Sequence, residues 1–107
     1  MGYNKMRVLI SDSLSDAGLA ILKEAKGIEV DYQPTIHKDI EKLKSAIKNA
    51  DAIVIRSGTK LTADVICVAE KLKVIGRAGI GVDNVDVPAA SKKGIIVENT
   101  PGGNTVT

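Results

Sequence analysis

The 107-residue sequence has no Phe and no Trp, and Tyr3 and Tyr32 are its only aromatic residues. A core must therefore be assembled from Val, Ile, Leu and Ala, the side chains that fill buried parallel strands and the helices laid over them. One cysteine, Cys67, excludes an intrachain disulfide or a cysteine-only metal site and suits a reducing cytoplasm. With a single histidine, His37, neither a Ser–His–Asp arrangement nor a His/Cys ligand set can be built. No apolar run approaches the roughly 20 residues of a membrane span, and no secretory h-region is followed by a small-residue cleavage site. Lys plus Arg minus Asp plus Glu is 15 − 13 = +2, with the lysines dispersed along helices, so no nucleic-acid surface is expected.

What is present alternates between apolar runs and amphipathic stretches. Met6–Ile10 reads as a strand. Ser13 or Ser15 can cap a helix with Leu14, Ala17, Ile21, Leu22 and Ala25 inward, ended by Gly27. Residues 28–33 form a second strand, closed by Pro34. From about Lys38 a second helix turns Ile40, Leu43 and Ile47 inward. Residues 51–55 form the third strand, and Thr62 can cap a helix whose face is Val65, Ala69 and Leu72. Lys73–Ile75 opens a fourth strand. Asp86 caps a short helix with Pro88 in its first turn and Gly94 behind it, and Ile95–Val97 is a fifth strand. Strands alternating with helices imply right-handed crossovers. The expected fold is α/β: a flavodoxin-like open parallel sheet of order 2-1-3-4-5 with helices on both faces. The tail from Asn99 to Thr107 is polar and rich in turn formers, and suits either a hinge or a frayed terminus.

Ligands of such sheets bind beyond the carboxyl ends of the strands. Four clusters qualify: Ser11-Asp12-Ser13, Arg56-Ser57-Gly58, Ala78-Gly79-Ile80-Gly81, and Asn99 onward. Arg56 follows an apolar strand directly, and its planar guanidinium suits a carboxylate or phosphate; alternatively it pairs with Asp12 or another local carboxylate. Gly79-Ile80-Gly81 begins a dinucleotide fingerprint, but Asn84 stands where its third glycine belongs, so no pyrophosphate site is expected there. These glycines can offer backbone N–H groups to a small anion, or simply make a tight turn. His37, beside a turn on an edge strand, has no evident partner and reads as a surface residue away from Arg56; Cys67 reads as a packing residue. Asp12 also suggests a receiver domain, yet Arg56 stands where the phosphate acceptor would be.

Two long stretches carry a resemblance. Residues 54–66, reading VIRSGTKLTADVI, and Gly76-Arg77-Ala78-Gly79-Ile80-Gly81-Val82-Asp83-Asn84-Val85-Asp86 continuing to Gly94-Ile95-Ile96-Val97-Glu98-Asn99-Thr100-Pro101, resemble the D-isomer-specific 2-hydroxyacid dehydrogenases. The opening Val8-Leu9-Ile10-Ser11-Asp12-Ser13-Leu14 does so too, so the likeness spans nearly the whole chain.

The resemblance implies NAD-dependent oxidation of 3-phosphoglycerate to 3-phosphohydroxypyruvate, a step of serine synthesis, by a cytoplasmic homo-oligomer. It puts Arg56 and Ser57 on the anionic substrate. Gly79 and Ile80 would offer backbone N–H groups to the substrate carboxylate, Asn104 would be a further contact, and Ile80 would lie beside the nicotinamide of NAD. Residues 1–99 would then be the N-terminal portion of a substrate-binding domain and residues 100–107 the start of a hinge. The nucleotide loop and the Arg, Glu and His of the chemistry would come after Thr107, making the sequence a fragment, inactive alone and without a catalytic residue or metal ligand of its own. Three other functions remain open: another 2-hydroxyacid substrate, a free-standing small-anion or regulatory module, and an oligomerisation scaffold.

Overall fold

Period-2 alternation organises the centre of the molecule. The computed structural model describes residues 5–78 and 84–100, the side chains of Asn99 and Thr100 excepted. Its five strands are β1 (Met6–Ile10), β2 (Ile28–Tyr32), β3 (Ala52–Ile55), β4 (Val74–Ala78) and β5 (Ile96–Thr100). They form one parallel sheet in the order β2-β1-β3-β4-β5, as the alternation predicts. Leu9, Ile53, Ile55 and Ile75 point to one face, where Leu43, Ile47, Val65 and Ile66 close over them. Val8, Ile10 and Ala52 point to the other and meet Leu19. Each fully covered aliphatic side chain contributes about 1.5–3 kcal/mol, and the absence of aromatics is made good by their number.

The helices are α1 (Asp16–Glu24), α2 (Ile40–Ile47), α3 (Ala63–Val68) and α4 (Val87–Lys92). Their starts follow side-chain capping. Ser15 Oγ accepts the N–H of Gly18, so Ser15 rather than Ser13 is the cap. Asp39 accepts the N–H groups of Glu41 and Lys42, and Asp86 that of Ala89. Thr62 holds the cap position of α3 without a side-chain bond. Gly27 and Gly94, with φ of 80° and 74°, occupy the left-handed conformation that ends α1 and α4.

Several expectations about helix faces need correction. Starting α1 at Asp16 turns Leu19 inward, with Leu22 beside it; Ala17 lies outside, and Ile21 is 58% exposed. Helix α2 buries Leu43 and Ile47, but Ile40 is at its first position and exposed. A short 3-10 turn, Ile36–Lys38, precedes it. Cys67 is exposed, because Val65, Ile66 and Ala69 take the inner side of α3. Finally, β5 begins at Ile96, with Ile95 buried just before it.

Candidate functional site

The buried polar side chains among the described residues are Ser11, Asp12 and Thr59, and all three lie at the carboxyl edge of the sheet. Ser11 and Asp12 follow β1, and Thr59 belongs to the loop after β3. Burying such groups costs several kcal/mol unless they are paired, and among the described residues no fully buried side-chain N or O atom lacks a hydrogen-bond partner. Thr59 Oγ1 donates to the Ser11 carbonyl at 3.2 Å, so the 2.8 Å contact between the two hydroxyls has Ser11 as donor. Asp12 Oδ2 accepts two backbone N–H groups, from Arg56 at 2.7 Å and from Thr59 at 2.9 Å.

This arrangement bears on the pairing of Arg56 with Asp12. Asp12 engages its backbone, not its guanidinium. The guanidinium is exposed and donates through Nη1 to the Ser13 carbonyl at 3.3 Å. Among the described residues no carboxylate pairs with it. An exposed cation, with a side chain on one long neutral bond and a backbone locked by a buried carboxylate, has the chemistry to receive an anion. Ser57 is exposed next to it.

Asn84 holds the same loop from the other side. Its Nδ2 donates to the carbonyls of Arg56 at 2.7 Å and Thr59 at 2.6 Å, while its Oδ1 accepts from Arg77 Nε at 2.6 Å. A backbone ladder accompanies these bonds, Leu61 N–H to the Asn84 carbonyl and Asp86 N–H to that of Leu61. The residue that breaks the dinucleotide fingerprint is thus a brace between two loops. A nucleotide cradle needs a bare backbone here, and the polar atoms of Asn84 are spent on protein groups.

His37 is misplaced by the sequence reading. The 3-10 turn carries it back over the end of β1, where Nδ1 lies 2.7 Å from the Ser11 carbonyl and 3.6 Å from Asp12 Oδ1. A carbonyl only accepts, so Nδ1 bears the hydrogen and Nε2 faces Gly58. A Cβ on Gly58 would collide with the Asp12 carboxylate and press on the imidazole. His37 therefore belongs to the same edge as Arg56. Gly79, Ile80 and Asn104 lie outside the described residues; the backbone of Asn99 lies in β5, opposite Arg77. Among the described residues no cluster of His, Cys, Asp and Glu could hold a metal ion, and no helix is long and apolar enough to cross a membrane.

Comparison with known proteins bears on this edge. The family model described as "D-isomer specific 2-hydroxyacid dehydrogenase, catalytic domain" matches residues 8–107. The D-3-phosphoglycerate dehydrogenase of Methanocaldococcus jannaschii is 50% identical over 102 residues, which are 95% of this chain and 19% of that protein. The human D-3-phosphoglycerate dehydrogenase is 48% identical over 104 residues, 97% of this chain and 19% of its own length. The NAD+-bound 3-phosphoglycerate dehydrogenase structure from Entamoeba histolytica superposes with a TM-score of 0.79 at 33% identity, covering 92% of this chain and 33% of that one. The chain thus spans about a fifth of the length of the curated relatives it matches.

Proposed function

The chain belongs to the D-isomer specific 2-hydroxyacid dehydrogenase family, and from that membership we propose that it is the substrate-holding part of an NAD-dependent 3-phosphoglycerate dehydrogenase. The substrate assignment draws on relatives at 50% and 48% identity that bear that name. One observation carries the role of the edge: the Arg56 guanidinium stands exposed beyond β3, with no carboxylate on it among the described residues. A phosphoglycerate carries a carboxylate and a phosphate, and the flat fork of Arg56 can accept either through two parallel N–H bonds. The Ser57 hydroxyl adds a neutral donor beside it.

The family pattern puts the backbone N–H groups of Gly79 and Ile80 on the substrate carboxylate, Asn104 on the substrate, and Ile80 next to the nicotinamide. We assign NAD itself to segments of the enzyme other than the described residues, because the amide of Asn84, at the place of the fingerprint's third glycine, is bonded to the Arg56 and Thr59 carbonyls. Residues 1–99 then act as one wall of a cleft and residues 100–107 as the start of the connection to the other wall. A cytoplasmic homo-oligomer is the setting we assign to the whole enzyme.

The test is Arg56→Ala in the complete enzyme. A lost charge-assisted contact costs about 1.5–3 kcal/mol, so KM for 3-phosphoglycerate should rise roughly ten- to a hundred-fold while KM for NAD stays put. Arg56→Lys should recover only part of the loss, because an ammonium cannot reproduce the fork. Unchanged kcat and KM for 3-phosphoglycerate in Arg56→Ala would remove Arg56 from the substrate.

A further inference from the structure

The loop that bears Arg56 and Ser57 is held in an unusual way. Residues 56 and 59 each give their backbone N–H to one atom, Asp12 Oδ2, and each receives a bond at the carbonyl from one other atom, Asn84 Nδ2. All four distances lie between 2.6 and 2.9 Å. Two side chains, one just after β1 and one just before α4, therefore hold both the N–H and the carbonyl of each of the two residues that flank Ser57 and Gly58. Neither side chain reaches the solvent face where an anion would sit on Arg56: Asp12 is 5% exposed, and the amide of Asn84 has all three of these partners within the protein.

We propose that Asp12 and Asn84 are positioning residues for substrate binding, fixing the Arg56–Thr59 loop so that Arg56 and Ser57 meet the anion without prior ordering. The inference rests on the reading of Arg56 given above. Its physical basis is that an anion contact made from a loose loop must also order that loop, whereas a loop fixed from both sides has lost that freedom during folding. Asp12 does this with an oxygen shared between two N–H donors, Asn84 with a nitrogen shared between two carbonyls. The bond from Arg77 Nε to Asn84 Oδ1 fixes which way the amide faces, since only the nitrogen end can donate to the loop. Asn84 therefore ties the end of β4 to the loop after β3, and Asp12 ties the end of β1 to the same loop.

A double-mutant cycle in the complete enzyme separates positioning from mere structural support. Asn84→Ala should raise KM for 3-phosphoglycerate roughly ten-fold with kcat changed about two-fold or less, and the same substitution should add less than about two-fold in an Arg56→Ala background. Asp12→Ala should behave alike and carries the cycle if Asn84→Ala does not fold. Asp12→Asn, whose amide oxygen can take the place of Oδ2, should return KM to within about two-fold of the parent. KM rising equally in both backgrounds, or not rising in either alanine variant, would overturn the inference while leaving Arg56 on the substrate. Arg56→Ala without effect on KM is the distinct outcome that removes the substrate reading and the positioning role together.

Discussion

The two edges of the sheet are built on opposite principles. At the carboxyl edge, Ser11, Asp12 and Thr59 are buried, and among the described residues no fully buried side-chain polar atom lacks a partner. At the amino edge lies a depression of about 870 Å³ between Lys5, Glu29, Asp51, Glu70, Lys71, Leu72 and Lys73. Its three lysines face three carboxylates, and apart from half-buried Asp51 those charges are exposed. Exposed mixed charges cancel at long range and are individually worth little, so size alone makes nothing of this hollow. The carboxyl edge, with its buried polar groups, holds Arg56, on which no carboxylate sits among the described residues. If Arg56 takes the substrate as proposed, fixed polar groups next to an open cation mark a binding edge better than volume does.

The largest expected effect tests whether the carboxyl edge suffices by itself. Residues 1–107 expressed alone should produce no NADH from 3-phosphoglycerate and should show no saturable binding of NAD at micromolar concentration in calorimetry. Oxidation needs a base at the substrate hydroxyl and a nucleotide held against the reacting carbon, and on the proposed reading both come from other segments of the enzyme. Saturable micromolar binding would mean that a cofactor site exists within these residues and that the one-wall description is wrong.

The next effect sets one edge against the other through two aspartates. Asp12→Ala strips a buried acceptor from two N–H groups and should cost about 2–4 kcal/mol of stability. Asp51→Ala at the amino edge removes one 2.8 Å bond from the Arg7 N–H, at a half-buried position, and should cost about 1 kcal/mol. Chemical denaturation of both variants reads the difference directly. Equal losses would show that the burial contrast carries no energetic weight.

His37 gives the third and smaller effect, and it also shows where the sequence was legible. The order β2-β1-β3-β4-β5 followed from alternation and crossover rules, because Leu9, Ile53 and Ile75 repeat a pattern that only a buried sheet satisfies. Arg56 was legible because it directly follows β3. His37 was not. Its place depends on one 3-10 turn, Ile36–Lys38, that folds the chain back over β1, and no periodicity encodes the path of a turn. Asn84 was seen only as a glycine that is missing, since its partners lie 25 and 28 residues away at Thr59 and Arg56. The face of α1 was misjudged because Leu14 lies before the helix, so counting from it put the stripe out of phase and left Leu19 out. Replacing the ring by Phe removes the donor at 2.7 Å to the Ser11 carbonyl. That carbonyl keeps the Thr59 hydroxyl, so His37→Phe should cost about 1 kcal/mol. A loss as large as that of Asp12→Ala would make His37, rather than Asp12, the centre of the edge.

The smallest effect belongs to the amino side of the molecule. Lys93, just after α4, donates through Nζ to the carbonyls of Ile66, Cys67 and Ala69, each at 3.1 Å. They lie at the end of α3, where the Ile66 carbonyl also accepts the Ala69 N–H at 3.0 Å, and a cation there meets the negative end of the helix dipole. The arrangement looks stronger on paper than it should prove. Lys93 is exposed, and water can hydrate the carbonyls once it is gone. Immobilising a lysine also costs side-chain entropy that offsets part of the gain. Lys93→Met keeps the apolar stem and removes only the charge and its donors, so the expected loss is about 0.5–1 kcal/mol. Thermal unfolding of the complete enzyme reads this as a small drop in Tm, and KM for 3-phosphoglycerate should not move, because the ammonium serves the edge opposite Arg56. A loss above about 2 kcal/mol would place the amino edge on a par with the buried network, and a shift in KM would show that the two edges are coupled through the sheet.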